Sequence, residues 1–122
     1  MGLLYRFGGT YIDTDVIVLK SFEGLRNVIG AQTIDLATGN WSRLNNAVMI
    51  FDQGHPLLHK FIEEFALTFD GNKWGHNGPY LVSRVVSRLS WNLDTTSQCC
   101  RLWLFIQWIG VKSEAFLRHL KV

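Results

Sequence analysis

Gly8-Gly9-Thr10-Tyr11-Ile12-Asp13-Thr14-Asp15-Val16-Ile17-Val18-Leu19 decides the reading of this chain. Two glycines let the backbone turn tightly and come close to a ligand. An aromatic residue follows, then two aspartates one residue apart, then four apolar, mostly β-branched residues. A continuous apolar run of that kind predicts a strand buried on both faces. In extended chain, residues i and i+2 share a face, so Asp13 and Asp15 are expected to aim two carboxylates the same way. Paired carboxylates at a strand edge suit a hard divalent cation, Mn²⁺ or Mg²⁺, which is commonly shared with substrate phosphates. Taken alone, an Asp-x-Asp pair also reads as a solvated turn, because Asp favours turns for local reasons.

Outward from this stretch, residues 1–90 alternate short strands and helices. Met1–Phe7 reads as the last turns of a helix, ended by Gly8-Gly9. Val28–Gln32 and Ala47–Phe51 read as strands, and Asp52-Gln53-Gly54 as a turn. Leu58, Phe61, Ile62, Phe65 and Phe69 fall on one face of a helix over 57–69, with Lys60, Glu63 and Glu64 on the other side. That aromatic stripe predicts core. A further helix starts at Pro79. Its stripe is Leu81, Val82, Val85, Val86 and Leu89, with Ser83, Arg84, Ser87 and Arg88 facing outward. The pattern predicts an α/β fold with a parallel or mixed sheet flanked by helices. Residues 91–122 change character, with Trp91, Trp103, Trp108 and the apolar run Leu102–Val111. The expected division is therefore 1–90 and 91–122.

Composition excludes several classes. With 48% hydrophobic residues among 122, the chain has enough apolar surface to fold, so it is not a disordered tail. Twelve Lys and Arg against 10 Asp and Glu, spread evenly, argue against a charge-driven nucleic-acid or membrane-surface protein. No run of 18 apolar residues encodes a transmembrane helix. Cys99 and Cys100 are adjacent, so they make neither a disulfide framework nor a zinc quartet. His55 and His59 lack the Glu of a zinc-protease helix motif.

Two other Asp-x-Asp chemistries fit less well. A helix-loop-helix calcium site needs further acidic or Asn ligands and a Gly where Val16-Ile17-Val18 stand. An aspartyl phosphotransferase would use Asp13 as nucleophile and Asp15 as acid, with a strand before Asp13 and a later acidic pair for Mg²⁺. Gly8 and Gly9 stand where that strand should be, and Asp35, Asp52, Asp70 and Asp94 are isolated.

The motif from Gly8 to Lys20 resembles the core of the α-1,4-glycosyltransferase family, and the sugar-binding region of other DXD glycosyltransferases. Three further stretches resemble the family in the same order. They are Leu25–Gln32, Asn45-Asn46-Ala47-Val48-Met49-Ile50-Phe51, and the loop Trp74-Gly75-His76-Asn77-Gly78-Pro79. The likeness is closest to plant-type members and covers residues 1 to about 90. It implies a GT-A fold, a UDP-sugar donor carrying a hexose such as galactose, and a glycan or glycolipid acceptor. It also implies Mn²⁺ (or Mg²⁺), retention of anomeric configuration, and a membrane-anchored Golgi enzyme. Carried over, Asp13 and Asp15 are the metal and donor pair, while Gly8, Gly9 and Tyr11 shape the donor pocket. Asn45, Asn46, Trp74, His76 and Asn77 are candidates for donor or acceptor sugar contacts. Asn45-Asn46 also reads as a turn before a strand, and the Trp74–Pro79 loop as an ordinary helix cap. The strands that build a uracil and ribose site in such folds are expected to precede this sequence, so the chain reads as a piece of a transferase, inactive alone. A non-catalytic relative or interaction module is the alternative.

Overall fold

The computed structural model describes residues 1–18, 21–35, 37–38 and 41–91. Its elements are α1 (Gly2–Phe7), β1 (Gly9–Ile12), β2 (Val28–Ile34), β3 (Trp41–Phe51), α2 (Pro56–Thr68) and α3 (Pro79–Trp91). The expectations for residues 92–122, including the 91–122 segment and the cysteine pair, lie outside the described residues.

The three strands form one sheet in the order β1-β3-β2, and both pairings are antiparallel. The parallel or mixed sheet expected from strand–helix alternation is therefore corrected. Only six positions separate β2 from β3, too few for a parallel crossover, so the two strands pair as a hairpin. The helices cover one face. Ile29, Ala31, Leu44, Met49 and Phe51 from the sheet pack with Leu57, Leu58 and Phe61 of α2 and Leu81, Val82, Val85 and Val86 of α3. Each fully buried Leu or Phe there contributes roughly 1.5–3 kcal/mol by leaving water. Val28, Val48 and Ile50 are buried outside that cluster, so the central strand is covered on both faces.

Both long helices sit where periodicity puts them. Proline stands at the first turn of each, where its missing N–H costs nothing. His55 caps α2, its Nδ1 accepting from the Leu57 N–H at 3.2 Å. The aromatic stripe departs from expectation. Phe61 is fully buried, but Phe65 is 41% and Phe69 61% exposed. The core ends one turn before the helix does.

The strand expected over Val16–Leu19 does not form in the described part. Residues 16–18 carry no strand pairing, and Ile17 is 80% exposed. The strand beside β3 is instead β1, one motif earlier, pairing Gly9 with Phe51 through Ile12 with Val48. A bulge explains why it stops. Ile29 pairs with Met49 but Gly30 pairs with Asn45, so β3 advances four residues while β2 advances one. Beyond Val48, β3 offers β1 one more bond, from the Asp13 N–H to the Ala47 carbonyl at 2.8 Å. The chain then turns, the Val16 N–H returning to the Asp13 carbonyl at 3.2 Å.

Gly8 fixes the approach to this region. Its φ is 69°, and a Cβ there would lie 2.7 Å from the Gln53 nitrogen and 3.2 Å from the Phe51 carbonyl oxygen. Both conformation and space demand glycine. Gly8→Ala is expected to destabilise the chain by about 1–3 kcal/mol in urea denaturation, with no comparable loss for Gly2→Ala, whose Cβ meets nothing.

Candidate functional site

Asp13 and Asp15 lie in the turn that ends β1, Asp13 half-buried and Asp15 exposed. The same-face geometry of an extended strand does not apply to them. The two carboxylates are instead related through Tyr11. The Tyr11 hydroxyl donates to Asp13 Oδ1. That bond raises the phenol above its ordinary pKa, helped by partial burial and by the negative charge of both Asp13 and Asp15. Tyr11 therefore stays protonated as a donor at neutral pH, and both carboxylates act on the same hydroxyl.

Asp52, Glu63, Glu64 and Asp70 each hold a basic side chain within salt-bridge distance. Like Glu23 and Asp35, Asp13 and Asp15 have no basic partner among the described residues, and only here do two such carboxylates stand one residue apart. No three His, Cys, Asp or Glu gather into a closed metal cage among the described residues either. Two hard, unneutralised carboxylates fit an ion of the Mg²⁺ or Mn²⁺ type, which completes its shell with water and substrate oxygens. The strand before Asp13 that an aspartyl phosphotransferase needs does exist, as β1. It is an edge strand of an antiparallel sheet, and no later acidic residue joins Asp13 and Asp15 in a group of three among the described residues.

Tyr11 also lines a cavity of about 380 Å³, with Met1, Gly2, Asn46, Met49, Ile62, Phe65 and Asn77. It joins three sequence candidates, Tyr11, Asn46 and Asn77, that lie far apart in the chain. The bulge puts Asn46 there. Asn45 Oδ1 accepts from the Ala47 N–H at 2.9 Å, stabilising the bulged turn, and Gly30 leaves room for it.

The Trp74–Pro79 loop is largely structural. Gly75 has φ 71°, and a Cβ would come within 2.9 Å of the Tyr80 ring. His76 Nε2 lies 2.8 Å from the Thr68 carbonyl oxygen, which fixes that nitrogen as the donor and satisfies an end carbonyl of α2. Asn77 clamps Asp70, accepting from its N–H at 3.1 Å and donating to its carbonyl at 2.9 Å. Gly78 passes close to the Asn46 amide. Trp74 stands apart, 88% exposed. Gly9 has φ 110° and open space at its Cβ position.

A buried charge network anchors this loop, and sequence reading missed it. Glu64, only 7% exposed, accepts from Arg84 Nε at 3.1 Å and from Arg88 Nη1 at 2.6 Å and Nη2 at 3.1 Å. Arg84 Nη2 donates to Thr68 Oγ1 at 3.2 Å, and Nη1 reaches the His76 carbonyl at 3.4 Å. Arg84 and Arg88 do not both point to solvent as expected. The available signal was spacing: Glu64 and Thr68, like Arg84 and Arg88, sit i, i+4 on helices flanking one core.

Two family models match the chain. The glycosyltransferase sugar-binding region containing the DXD motif matches residues 1–35, and the α-1,4-glycosyltransferase conserved region matches residues 50–107. This chain belongs to the α-1,4-glycosyltransferase family. Lactosylceramide 4-alpha-galactosyltransferase of Rattus norvegicus is 39% identical over 88 residues, 72% of this chain and 22% of its own length. An Arabidopsis thaliana protein described as uncharacterized is 42% identical over 88 residues, 72% of this chain and 13% of its own. Human alpha-1,4-N-acetylglucosaminyltransferase is 28% identical over 86 residues, 70% of this chain and 23% of its own. The chain thus spans under a quarter of the length of these relatives. No solved structure matches. The named relatives are a galactosyltransferase and an N-acetylglucosaminyltransferase.

The network gives a pH-dependent prediction for this family member. Hydrogen bonding from Arg88 above all, then from Arg84, holds the Glu64 carboxyl below its ordinary value of 4.5 despite burial. The folded pKa lies below the unfolded one. The stabilisation is therefore complete above the ordinary carboxylate range and fades as pH falls through the folded value. Glu64→Gln is expected to cost about 2 kcal/mol in urea denaturation at pH 7. The gap between variant and wild type should narrow at pH 3; an equal gap at both values would contradict the assignment.

Proposed function

We propose that the protein is a metal-dependent glycosyltransferase that moves a hexose, galactose foremost, from a UDP-sugar to a glycan or glycolipid acceptor with retention. The observation that carries this reading is the unneutralised Asp13–Asp15 pair on a turn, linked through Tyr11 to a cavity of monosaccharide scale. The galactosyltransferase and N-acetylglucosaminyltransferase relatives support the hexose and the α-1,4 linkage.

In this reading each residue has a limited task. Asp13 and Asp15 offer hard oxygens to a divalent cation, Mn²⁺ or Mg²⁺. Tyr11 holds the Asp13 carboxylate in one orientation, leaving its other lone pairs for the ion. A cation held there supplies Lewis-acid stabilisation of the departing diphosphate. Gly9, open at its Cβ position, leaves room beside the turn for the donor. Gly8 acts indirectly by setting the entry of β1. Trp74 offers an exposed apolar face to a sugar, whereas Asn45, His76 and Asn77 act through the positions of the bulge and the loop. The Golgi setting and the membrane anchor belong to the complete protein in this reading; no helix among the described residues is long and apolar enough to cross a membrane.

Calorimetric titration of UDP into the purified chain, with and without Mn²⁺, tests the proposal. Binding is expected to depend on Mn²⁺ and to weaken at least tenfold in Asp15→Ala. UDP binding that is equal in wild type, Asp13→Ala and Asp15→Ala would instead favour a non-catalytic relative, and no UDP binding by a folded chain would mean that this piece lacks its donor site.

A further inference from the structure

We infer that the cavity between β1, β3 and α2 is a subsite for one neutral hexose ring, and that Asn46 is the residue that reads its hydroxyls. The inference deepens the transferase reading and rests on it for the choice of a hexose.

Four observations point there. First, the cavity is an open cleft lined by residues of five separate segments: the start of α1, β1, β3, α2 and the Asn77 loop. Its volume of about 380 Å³ lies at the lower end of the usual ligand-pocket range of about 300–1,000 Å³. That is room for one sugar ring rather than an oligosaccharide.

Second, the lining contains no charged side chain. Through Tyr11 it adjoins the Asp13 carboxylate, while Met1, which carries the terminal amino group of the chain, is also among its lining residues. The uncharged lining side chains suit a neutral polyol. The cation pair and the cavity divide the work, one side taking charge and the other hydroxyls.

Third, the walls are amphipathic in the way a pyranose is. Met49, Ile62 and the Phe65 ring form an apolar side for C–H groups. Phe65, expected in the core, is left 41% exposed, so the fold does not consume its surface.

Fourth, Asn46 keeps its hydrogen-bonding capacity. Its side chain has no hydrogen-bond partner among the described residues, while Asn45 bonds Ala47 and Asn77 bonds Asp70. Among the described residues no enclosed side-chain polar atom lacks a partner, so the Asn46 amide is not fully enclosed, and Asn46 lines the cavity. An amide offers two donors and an acceptor, enough to bridge neighbouring hydroxyls. A site that hydrogen-bonds a hydroxyl discriminates far better than an apolar pocket does.

The ring could be the donor's hexose or the acceptor's terminal hexose, and the experiment separates them. UDP, UDP-galactose and methyl β-galactoside are titrated, by ligand-observed NMR with Mg²⁺, into the full 122-residue chain and into Asn46→Ala and Asn46→Asp. The isosteric Asp variant keeps the shape beside Gly78 should the Ala variant fail to fold. Both variants are expected to spare UDP and to weaken a hexose-bearing probe at least fivefold. A loss confined to UDP-galactose assigns the donor ring, and a loss for methyl β-galactoside assigns the acceptor ring. Unchanged affinity for both hexose probes, with UDP binding still lost in Asp15→Ala, overturns the subsite and leaves the transferase reading standing. Asn46-dependent galactoside binding without any UDP binding does the reverse. A wild-type chain that binds UDP-galactose no more tightly than UDP, and methyl β-galactoside not at all, also overturns the subsite.

Discussion

The constraint on which the rest depends is the unequal pace of β2 and β3. Between Ile29 and Gly30 the central strand spends three extra residues. A bulge of that size leaves backbone groups without ladder partners, and an unpaired buried group costs about 1–3 kcal/mol. The Asn45 side chain answers for the Ala47 N–H, and Asp13 answers for the Ala47 carbonyl. Those two bonds decide the local geometry. The bond at Asp13 is the last that β3 gives β1, the chain turns after it, and Asn46 lies at the bulge, on the cavity lining. Without the bulge β1 could run on, Val16–Val18 could pair, and the two aspartates would be locked into a sheet edge rather than presented on a turn.

Glu64 and the Asp13–Asp15 pair stand at opposite electrostatic extremes. Glu64 is nearly enclosed, and three guanidinium N–H groups offset the cost of removing its charge from water. Its role is mechanical: through Arg84 it ties α2 and α3 to the His76 backbone, and the loop lining the cavity inherits that stiffness. Asp13 and Asp15 stay near solvent, where two unpaired charges remain well hydrated. They cost the fold little and keep oxygens available. The same residue chemistry serves stability where it is buried and matched, and ligand binding where it is hydrated and unmatched.

This division explains what could be read in advance. The helices were legible because their apolar positions recur at helical spacing and Pro56, Pro79 and Gly71 punctuate them. The cores of β2 and β3 were legible as apolar runs. The aspartate pair was legible as chemistry but not as geometry. Val16-Ile17-Val18 has every local mark of a buried strand, yet burial needs a partner strand, and the register of β3 denies it one. Strand direction was also hidden, since alternation of strands and helices does not reveal that β2 and β3 pair as a hairpin. Asn45 and Asn46 are the sharpest case. Identical side chains stand side by side, and only the bulge, a property of the β2–β3 pairing, assigns one to the backbone and the other to the cavity.

The same criterion sorts the remaining motif residues. A polar side chain that has already satisfied the backbone can contact a ligand fully only by giving up a bond the fold uses. His76 bonds a helix-end carbonyl, Asn77 has both of its amide groups engaged at Asp70, and Asn45 holds the bulge. Each shapes the site without being free to read a substrate. Asp15 and Asn46 make no such bond among the described residues, Asp13 makes one and keeps further lone pairs, and Trp74 leaves its ring in water. Family motifs therefore mix two populations, and the residues that contribute least to holding this fold together are those with most capacity left for a sugar and its metal.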